Sequence, residues 1–375
     1  MVASISARNS VCAAVAYFSH MAGDEYYTRE GEADADSDWA GRGAERLALE
    51  GPVSKPEFEA ALNGLDPKTG EALVQIGNRT HAPGWDMTFS APKSVSVLWA
   101  LAPETDRAGI ETAHRSAVTA ATRHLEDTHA FTRRGKGGIV RQEVAGLTIA
   151  RFHHHTSRDL DPQLHTHAFI FNTAPRRDGS WGTLISRDLY KAQKEAGRVY
   201  REHLANALER DGHAIERHGS TFRLTAVPRS VERAFSKRRQ AIEQAAKQHG
   251  YHTPRGMEQA ALRTRQAKRP RERAALFRAW AQEARTLGFD LERARQQARL
   301  PGLRHAERSG AAAAVSRQPA RQNLPSAGRM LSAISAAARA SSRGMPGLSA
   351  SLKQKQIERQ RQRQKQSVRD LEAER

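Results

Sequence analysis

Apolar and polar positions divide the first 300 residues into short elements separated by turn residues. Pro83-Gly84 breaks the chain ahead of WDMTFS (85–90), whose composition suits a short strand. Ala91-Pro92 follows, then KSVSVLWAL (93–101). Periodicity leaves that run open between a buried strand and a buried helix, and the proline before it favours a helix start. Between Asp106 and Ala130, the residues Ile110, Ala113, Val118, Ala121 and Leu125 recur at helical spacing on one broad face. A Gly-rich turn leads into GIVRQEVAGLTIARF (138–152), a strand pair or one long strand. Ser186 to Arg210 reads as a helix ended by Asp211-Gly212. HAIERHGSTFRLTAV (213–227) reads as a hairpin around His218-Gly219-Ser220, and Val231 to Gln248 as one further helix with Arg and Lys outward.

The ends of the chain are less patterned. Residues 1–50 hold an apolar patch, CAAVAYF, then a turn-rich acidic stretch, GEADADSDWAGRG. Small helices and turns are expected over 51–75. Beyond about 300, Ala, Ser, Pro, Gly, Gln and Arg dominate, a composition that cannot bury enough surface to offset its ordering entropy. Residues 301–375 are therefore expected to be a largely disordered basic tail, and no internal repeat is evident.

Charge sharpens this division. Residues 1–150 carry 15 Lys and Arg against 20 Asp and Glu, whereas residues 151–300 carry 30 against 16 and residues 301–375 carry 15 against 5. The net charge is +19, which points to a polyanionic partner, nucleic acid first. The lone Cys12 excludes an intrachain disulfide and a multi-cysteine zinc site, and a reducing cytoplasm is the natural home. No apolar run approaches the ~18 residues of a membrane span, and the pattern of a signal peptide is missing.

The chemistry concentrates in ARFHHHTSRDLDPQLHTHAFIFN (150–172), which holds five of the 16 histidines. His165 and His167 stand two apart on a strand, so their imidazoles project from one face. His153, His154 and His155 lie upstream and complete a three-imidazole metal site, although alternation alone does not say which of the three reaches it. Three protein ligands leave open positions, as catalysis needs. Of the six tyrosines, three lie early, at Tyr17, Tyr26 and Tyr27. Tyrosine can form a covalent intermediate, but its pKa near ~10 requires a base or cation nearby.

The run from His154 to His167, H-x-x-x-R-x-x-D-P-Q-L-H-T-H, resembles the signature of conjugative relaxases within the HUH nucleases. The match is to the TrwC/TraI-like (MobF) branch. GWDMTFSAPKSVSVLWAL (84–101) resembles a second motif of that branch, and the early tyrosines resemble its first. The resemblance covers about residues 1–300. It implies an α+β fold with a central antiparallel sheet of about five strands and helices on one face. It also implies helical "fingers" over 186–300 that cover DNA.

The same resemblance assigns roles. His154, His165 and His167 become the metal ligands, with a divalent ion, Mg²⁺ or Mn²⁺, as cofactor. Asp86 matches the catalytic aspartate that orients a metal histidine, and Arg158 lies where relaxases place an arginine near the scissile phosphate. Tyr17 matches the first nucleophile; the usual adjacent tyrosine is replaced here by Phe18. Tyr26 matches a second nucleophile, with Tyr27 beside it as the alternative. Lys93, Arg198, Lys237, Arg238 and Arg239 are the candidate DNA-binding residues. The implied activity is nicking and rejoining of single-stranded DNA at an origin of transfer, through a 5′-phosphotyrosine. Implied partners are that DNA, an accessory DNA-binding protein, a coupling protein and a separate helicase. The sequence given contains no G-x-x-x-x-G-K-[ST], so no ATPase activity is expected of it. The competing readings are a rolling-circle replication initiator, a non-catalytic DNA-binding remnant of a relaxase, and a metal hydrolase acting on small phosphate esters.

Overall fold

The computed structural model describes residues 3–8, 10–15, 36–74, 81–265 and 272–296. Tyr17, Tyr26, Tyr27 and the 301–375 tail lie outside them. The strands are β1 (Ala3–Arg8), β2 (Ser37–Ala40), β3 (Gly84–Ser90), β4 (Phe131–Arg134), β5 (Val140–Glu143), β6 (Ile149–Thr156), β7 (Pro162–Phe171), β8 (Ala174–Pro175), β9 (Trp181–Gly182), β10 (Ile215–His218) and β11 (Thr221–Leu224). The helices are α1 (Arg42–Arg46), α2 (Lys55–Leu62), α3 (Lys93–Leu101), α4 (Glu104–Thr128), α5 (Ser186–Arg210), α6 (Arg229–Ala234), α7 (Lys237–Gln248), α8 (Pro254–Arg263) and α9 (Arg273–Thr286).

Five strands form the central sheet in the order β1-β3-β7-β6-β2, every pair antiparallel. Strand alternation then sorts the side chains. Trp85, Met87 and Phe89 of β3, with Leu164, Ala168 and Ile170 of β7, enter the main core beneath α3, α4 and α5. The run that periodicity left open is the helix α3, starting after Pro92, and residues 94–100 are all buried. Its two serines meet backbone that the apolar residues cannot satisfy: Ser96 Oγ accepts from Leu164 N at 3.1 Å and Ser94 Oγ from Leu224 N at 3.0 Å. Gly84 opens β3 where nothing larger fits, since a Cβ there would stand 2.2 Å from the carbonyl oxygen of Ile170.

Among the described residues, helix α2 covers one end of the opposite face of the sheet. Phe58 of α2 meets Phe152, Phe169 and Phe171 edge-on, with ring centroids 5.9, 5.3 and 5.2 Å apart. Further along the same face, β6 and β7 carry polar residues, and the histidine site lies there.

Three expectations change. The acidic stretch read as turn-rich supplies β2, because Asp38 accepts two hydrogen bonds from Arg151 and Trp39 is buried. The stretch 138–152 makes two strands that never pair: β5 pairs with β4, and β6 lies between β7 and β2. Glu126 of α4 takes the Leu147 amide at 2.6 Å and holds the chain out of a continuous strand there. The helix expected over 231–248 divides into α6 and α7, because the Lys237 amide donates to the Asp161 carboxylate at 2.7 Å.

Candidate metal centre and active site

The register of β6 against β7 builds the site. His154 stands directly opposite His165, and His167 lies between Phe152 on β6 and Thr88 on β3. His154, His165 and His167 therefore share one face, with all three pairs of ring centroids 5.2 Å apart. Each offers a ring nitrogen within 4.8 Å of the others, so the cluster is a candidate metal-binding site. His153 and His155, one residue to either side, point to the helix face. His153 Nδ1 lies 2.9 Å from Thr166 Oγ1, and His155 stacks on Trp99 at 5.0 Å. Of the three adjacent histidines, His154 is the one that shares the face of His165 and His167.

Neighbouring acceptors place a proton on Nδ1 of two of these rings. A backbone carbonyl can only accept, so the 2.8 Å contact between His165 Nδ1 and Gln163 O puts the proton on Nδ1. His167 Nδ1 lies 3.1 and 3.0 Å from the two oxygens of Asp86, which fixes the same tautomer. In the neutral form of either ring, Nε2 is the nitrogen left to bind a cation. A carboxylate behind a histidine in this way orients the ring and raises its basicity toward a cation. Burial and the adjacent His167 ring push the His165 imidazolium down to about 3, so His165 is a neutral donor near pH 7. Three imidazoles on one face suit a transition-series divalent ion best.

Two participants escaped the reading of the sequence. Thr88 Oγ1 lies 3.1 Å from His167 Nδ1, and the guanidinium of Arg8 lies 3.4 Å from Asp86 Oδ2. Asp86 and Thr88 stand two apart on β3, so alternation within WDMTFS could have found Thr88. Arg8 had no such signal, because β1 itself was not recognised.

Beneath the site, on the helix face, runs a buried polar chain. Thr166 Oγ1 lies 2.8 Å from His114 Nε2, and His114 Nδ1 lies 2.8 Å from the Tyr200 hydroxyl. Burial drives the His114 imidazolium well below its ordinary value and the Tyr200 phenol well above. Both are neutral, and Tyr200 is a structural group.

Arg158 sits in the turn between β6 and β7, the turn that also separates the metal-face histidines. Three helices anchor that turn at Leu160, Asp161 and Pro162. Trp280 Nε1 of α9 donates to Leu160 O at 2.8 Å, and Leu160 holds a left-handed φ of 59°. Lys93 Nζ donates to Pro162 O at 2.7 Å, and burial draws that ammonium down to about 8. Lys237 Nζ bridges Asp161 at 3.1 Å and Glu283 at 2.7 Å.

The candidate DNA-binding residues thus divide. Lys93 and Lys237 brace the turn. Arg238 directs its guanidinium to Thr264 O and Ala261 O, both at 2.6 Å, and closes the C-terminal end of α8. All three donate into the protein. Arg198 and Arg239 are exposed, each paired with a glutamate one turn on, Glu202 and Glu243. No helix of the described residues is long and apolar enough to cross a membrane.

Comparison with known proteins fits this geometry. The family model for TrwC relaxase matches residues 12–287. The multifunctional conjugation protein TraI of Escherichia coli (strain K12) is 38% identical over 274 residues, 69% of this chain and 15% of TraI. The chain thus spans about 15% of the length of the curated relatives it matches. Among solved structures, metal-bound conjugative relaxase TrwC in complex with oriT DNA superposes with a TM-score of 0.68 at 31% identity, covering 77% of this chain and 99% of that one. A copper-bound TrwC–oriT complex gives 0.68 at 30% identity, with 77% and 100% covered. TrwC bound to a 27-mer DNA with the recognition hairpin and cleavage site gives 0.66 at 29% identity, with 77% and 99% covered. With more than half its length matched, the chain belongs to the TrwC relaxase family.

Proposed function

We propose that this chain is a site- and strand-specific DNA relaxase that nicks single-stranded DNA at the origin of transfer of a plasmid or conjugative element and rejoins it. The observation that carries the reading is the three-imidazole face, with Asp86 behind His167, in a chain of the TrwC relaxase family. In this mechanism the phenolic oxygen of Tyr17 attacks the scissile phosphorus. A Tyr–O–P bond forms and the P–O3′ bond breaks, while the phenolic oxygen gives up its proton and the leaving O3′ takes one up. The products are a 5′-phosphotyrosine and a free 3′-hydroxyl. The ester keeps the energy of the broken bond, so rejoining needs no ATP, and Tyr26 serves a second cleavage that ends transfer.

His154, His165 and His167 would hold the divalent cation, and Asp86 sets the His167 tautomer. When bound, the ion withdraws charge from the phosphoryl oxygens. Family resemblance favours Mg²⁺ or Mn²⁺, whereas three nitrogen donors favour a softer ion; we take Mg²⁺ or Mn²⁺ as the working metal. Arg158, at the head of the anchored turn, presents a forked guanidinium suited to phosphate oxygens. Arg198 and Arg239 contribute salt-dependent backbone contacts. Residues 1–300 form the relaxase domain, within which 186–300 cover the DNA, and 301–375 are a low-complexity basic tail. The protein works in the bacterial cytoplasm with an accessory DNA-binding protein, a coupling protein and a separate helicase.

The test is a denaturing gel after incubation with single-stranded oligonucleotides that span the cognate origin, plus Mg²⁺. A protein–DNA adduct that vanishes in Tyr17→Phe is expected. No adduct on the cognate origin would sink the catalytic reading and leave a DNA-binding protein.

A further inference from the structure

Among the described residues, one other group of side chains can surround a metal ion. His124 lies near the end of α4, His129 is the residue that caps that helix, and Glu195 faces them from α5. His124 Nε2 lies 3.1 Å from one oxygen of Glu195, and His129 Nε2 lies 3.1 Å from the other. The two rings stand edge to face with centroids 5.7 Å apart. The three side chains are 25%, 28% and 43% exposed, so an ion could reach them from solvent. We propose that His124, His129 and Glu195 form a second transition-metal site, of the zinc class, that clips α4 to α5.

Chemistry and geometry support this. Both imidazoles turn the same nitrogen toward one carboxylate. Bond lengths near ~2.1 Å in a tetrahedral zinc site put ligand atoms roughly 3.4 Å apart. The two nitrogen–oxygen separations are already close to that, and the outer bound of 4.8 Å needs only a small rotation of exposed side chains. Two nitrogens and a carboxylate suit Zn²⁺, Cu²⁺ or Ni²⁺ and not the oxygen-seeking Mg²⁺. Water completes the shell.

Position adds a second reason. His129 caps α4, where the last carbonyls concentrate negative charge, and a cation there is favoured. Hydrogen bonds from His129 and then His124 hold the Glu195 carboxyl below its ordinary range, so it is ionised and ready to bind. Arg198 approaches the same carboxylate only to 4.0 Å and directs its guanidinium to Glu202 at 2.9 Å. The clip also has something to join. Further along the same helix pair, His114 of α4 and Tyr200 of α5 share the buried hydrogen bond under the sheet. The helices pack on the face opposite His154, His165 and His167, so the two clusters cannot share an ion.

The bland alternative is a metal-free pair of hydrogen bonds from two imidazoles to one carboxylate. Equilibrium dialysis of the full chain against Zn²⁺ separates the two. The proposal expects two zinc ions per chain, falling to one in Glu195→Gln and to one in the separate triple variant H154A/H165A/H167A. Adding Glu195→Gln to the triple variant should remove the last. Cobalt(II) in the triple variant should give the intense visible bands of a tetrahedral site. Should the triple variant misfold, the wild type and Glu195→Gln alone decide: equal zinc stoichiometry in these two overturns the proposal. So does a folded triple variant that takes up no zinc. Origin-DNA cleavage is not read in either arm, so the outcome is independent of the proposed relaxase activity.

Discussion

Replacing Asp86 by Asn tests the metal centre with the least disturbance. The carboxylate is 4% exposed and faces His167 Nδ1 with both oxygens, at 3.0 and 3.1 Å. Asn keeps the shape and one accepting oxygen, so ring position and tautomer survive. The negative charge is lost, and with it the polarisation that makes Nε2 a stronger donor. Losing a partner of this kind behind a metal-binding histidine costs roughly 10–100-fold in metal affinity. At ~1.4 kcal/mol per tenfold, that is about 1.4–2.8 kcal/mol. Stability should move less, because the variant also removes the penalty of a buried charge, offset by the lost contact of Asp86 with Arg8 at 3.4 Å. The assay is Mn²⁺ titration by calorimetry, alongside thermal unfolding of the metal-free proteins. Thr88→Val is the control, because its hydroxyl reaches the same nitrogen at 3.1 Å without a charge, and about a few-fold loss is expected. Unchanged Mn²⁺ affinity in a folded Asp86→Asn protein would refute the assigned role of the carboxylate.

Three further outcomes follow from the packing. Burial would raise the Asp38 carboxyl, but hydrogen bonds from His153 and Arg151 override it and hold the group at about 2. Its contribution is therefore present above the ordinary value near ~4 and lost as pH falls through 2. Urea denaturation should show Asp38→Asn less stable than wild type by up to about 2 kcal/mol at pH 7, with the gap closing below pH 4. His114→Phe strips partners from the Tyr200 hydroxyl and Thr166 Oγ1 and should cost roughly 2–5 kcal/mol, read as a fall in urea midpoint. Because His114 must stay neutral when folded, wild-type stability should decline below about pH 6.5, and less steeply in that variant; parallel slopes would contradict the buried-imidazole account. Arg238→Ala should destabilise α8 by roughly 1–2 kcal/mol through the lost carbonyl contacts, with origin-DNA affinity at matched folded fraction little changed.

Legibility of the sequence followed its periodicity. The helix over 186–210, the hairpin at 218–220 and the strand after Pro83-Gly84 were readable because apolar spacing and turn residues agreed there. The acidic stretch containing Asp38 was misread because β2 is held by Arg151, more than 100 residues away, and no local pattern encodes that pairing. The break between α6 and α7 has the same origin in the distant carboxylate of Asp161. For the site, the residue types were plain, but the choice among His153, His154 and His155 needed family register or coordinates. Charge makes Lys93, Lys237 and Arg238 visible in a sequence as candidate phosphate ligands, while the carbonyls and carboxylates to which they also donate are not visible there.

The back of the sheet explains why five histidines cluster where three suffice. A one-residue slip of β6 against β7 would turn His154 into the core and bring His153 or His155 to the metal face. Imidazoles alone do not prevent this, since all three positions carry the same side chain. The helix face does. His153 is tied to Thr166 at 2.9 Å, and Thr166 is tied through His114 to Tyr200, with every member buried. His155 is stacked on Trp99, and Arg151, two residues before His153, is paired with Asp38. A slipped register would leave these polar groups unsatisfied in the interior, at roughly 1–3 kcal/mol for each. The non-ligating histidines thus hold the register that presents His154, and the metal face depends on contacts made on the other side of the same two strands.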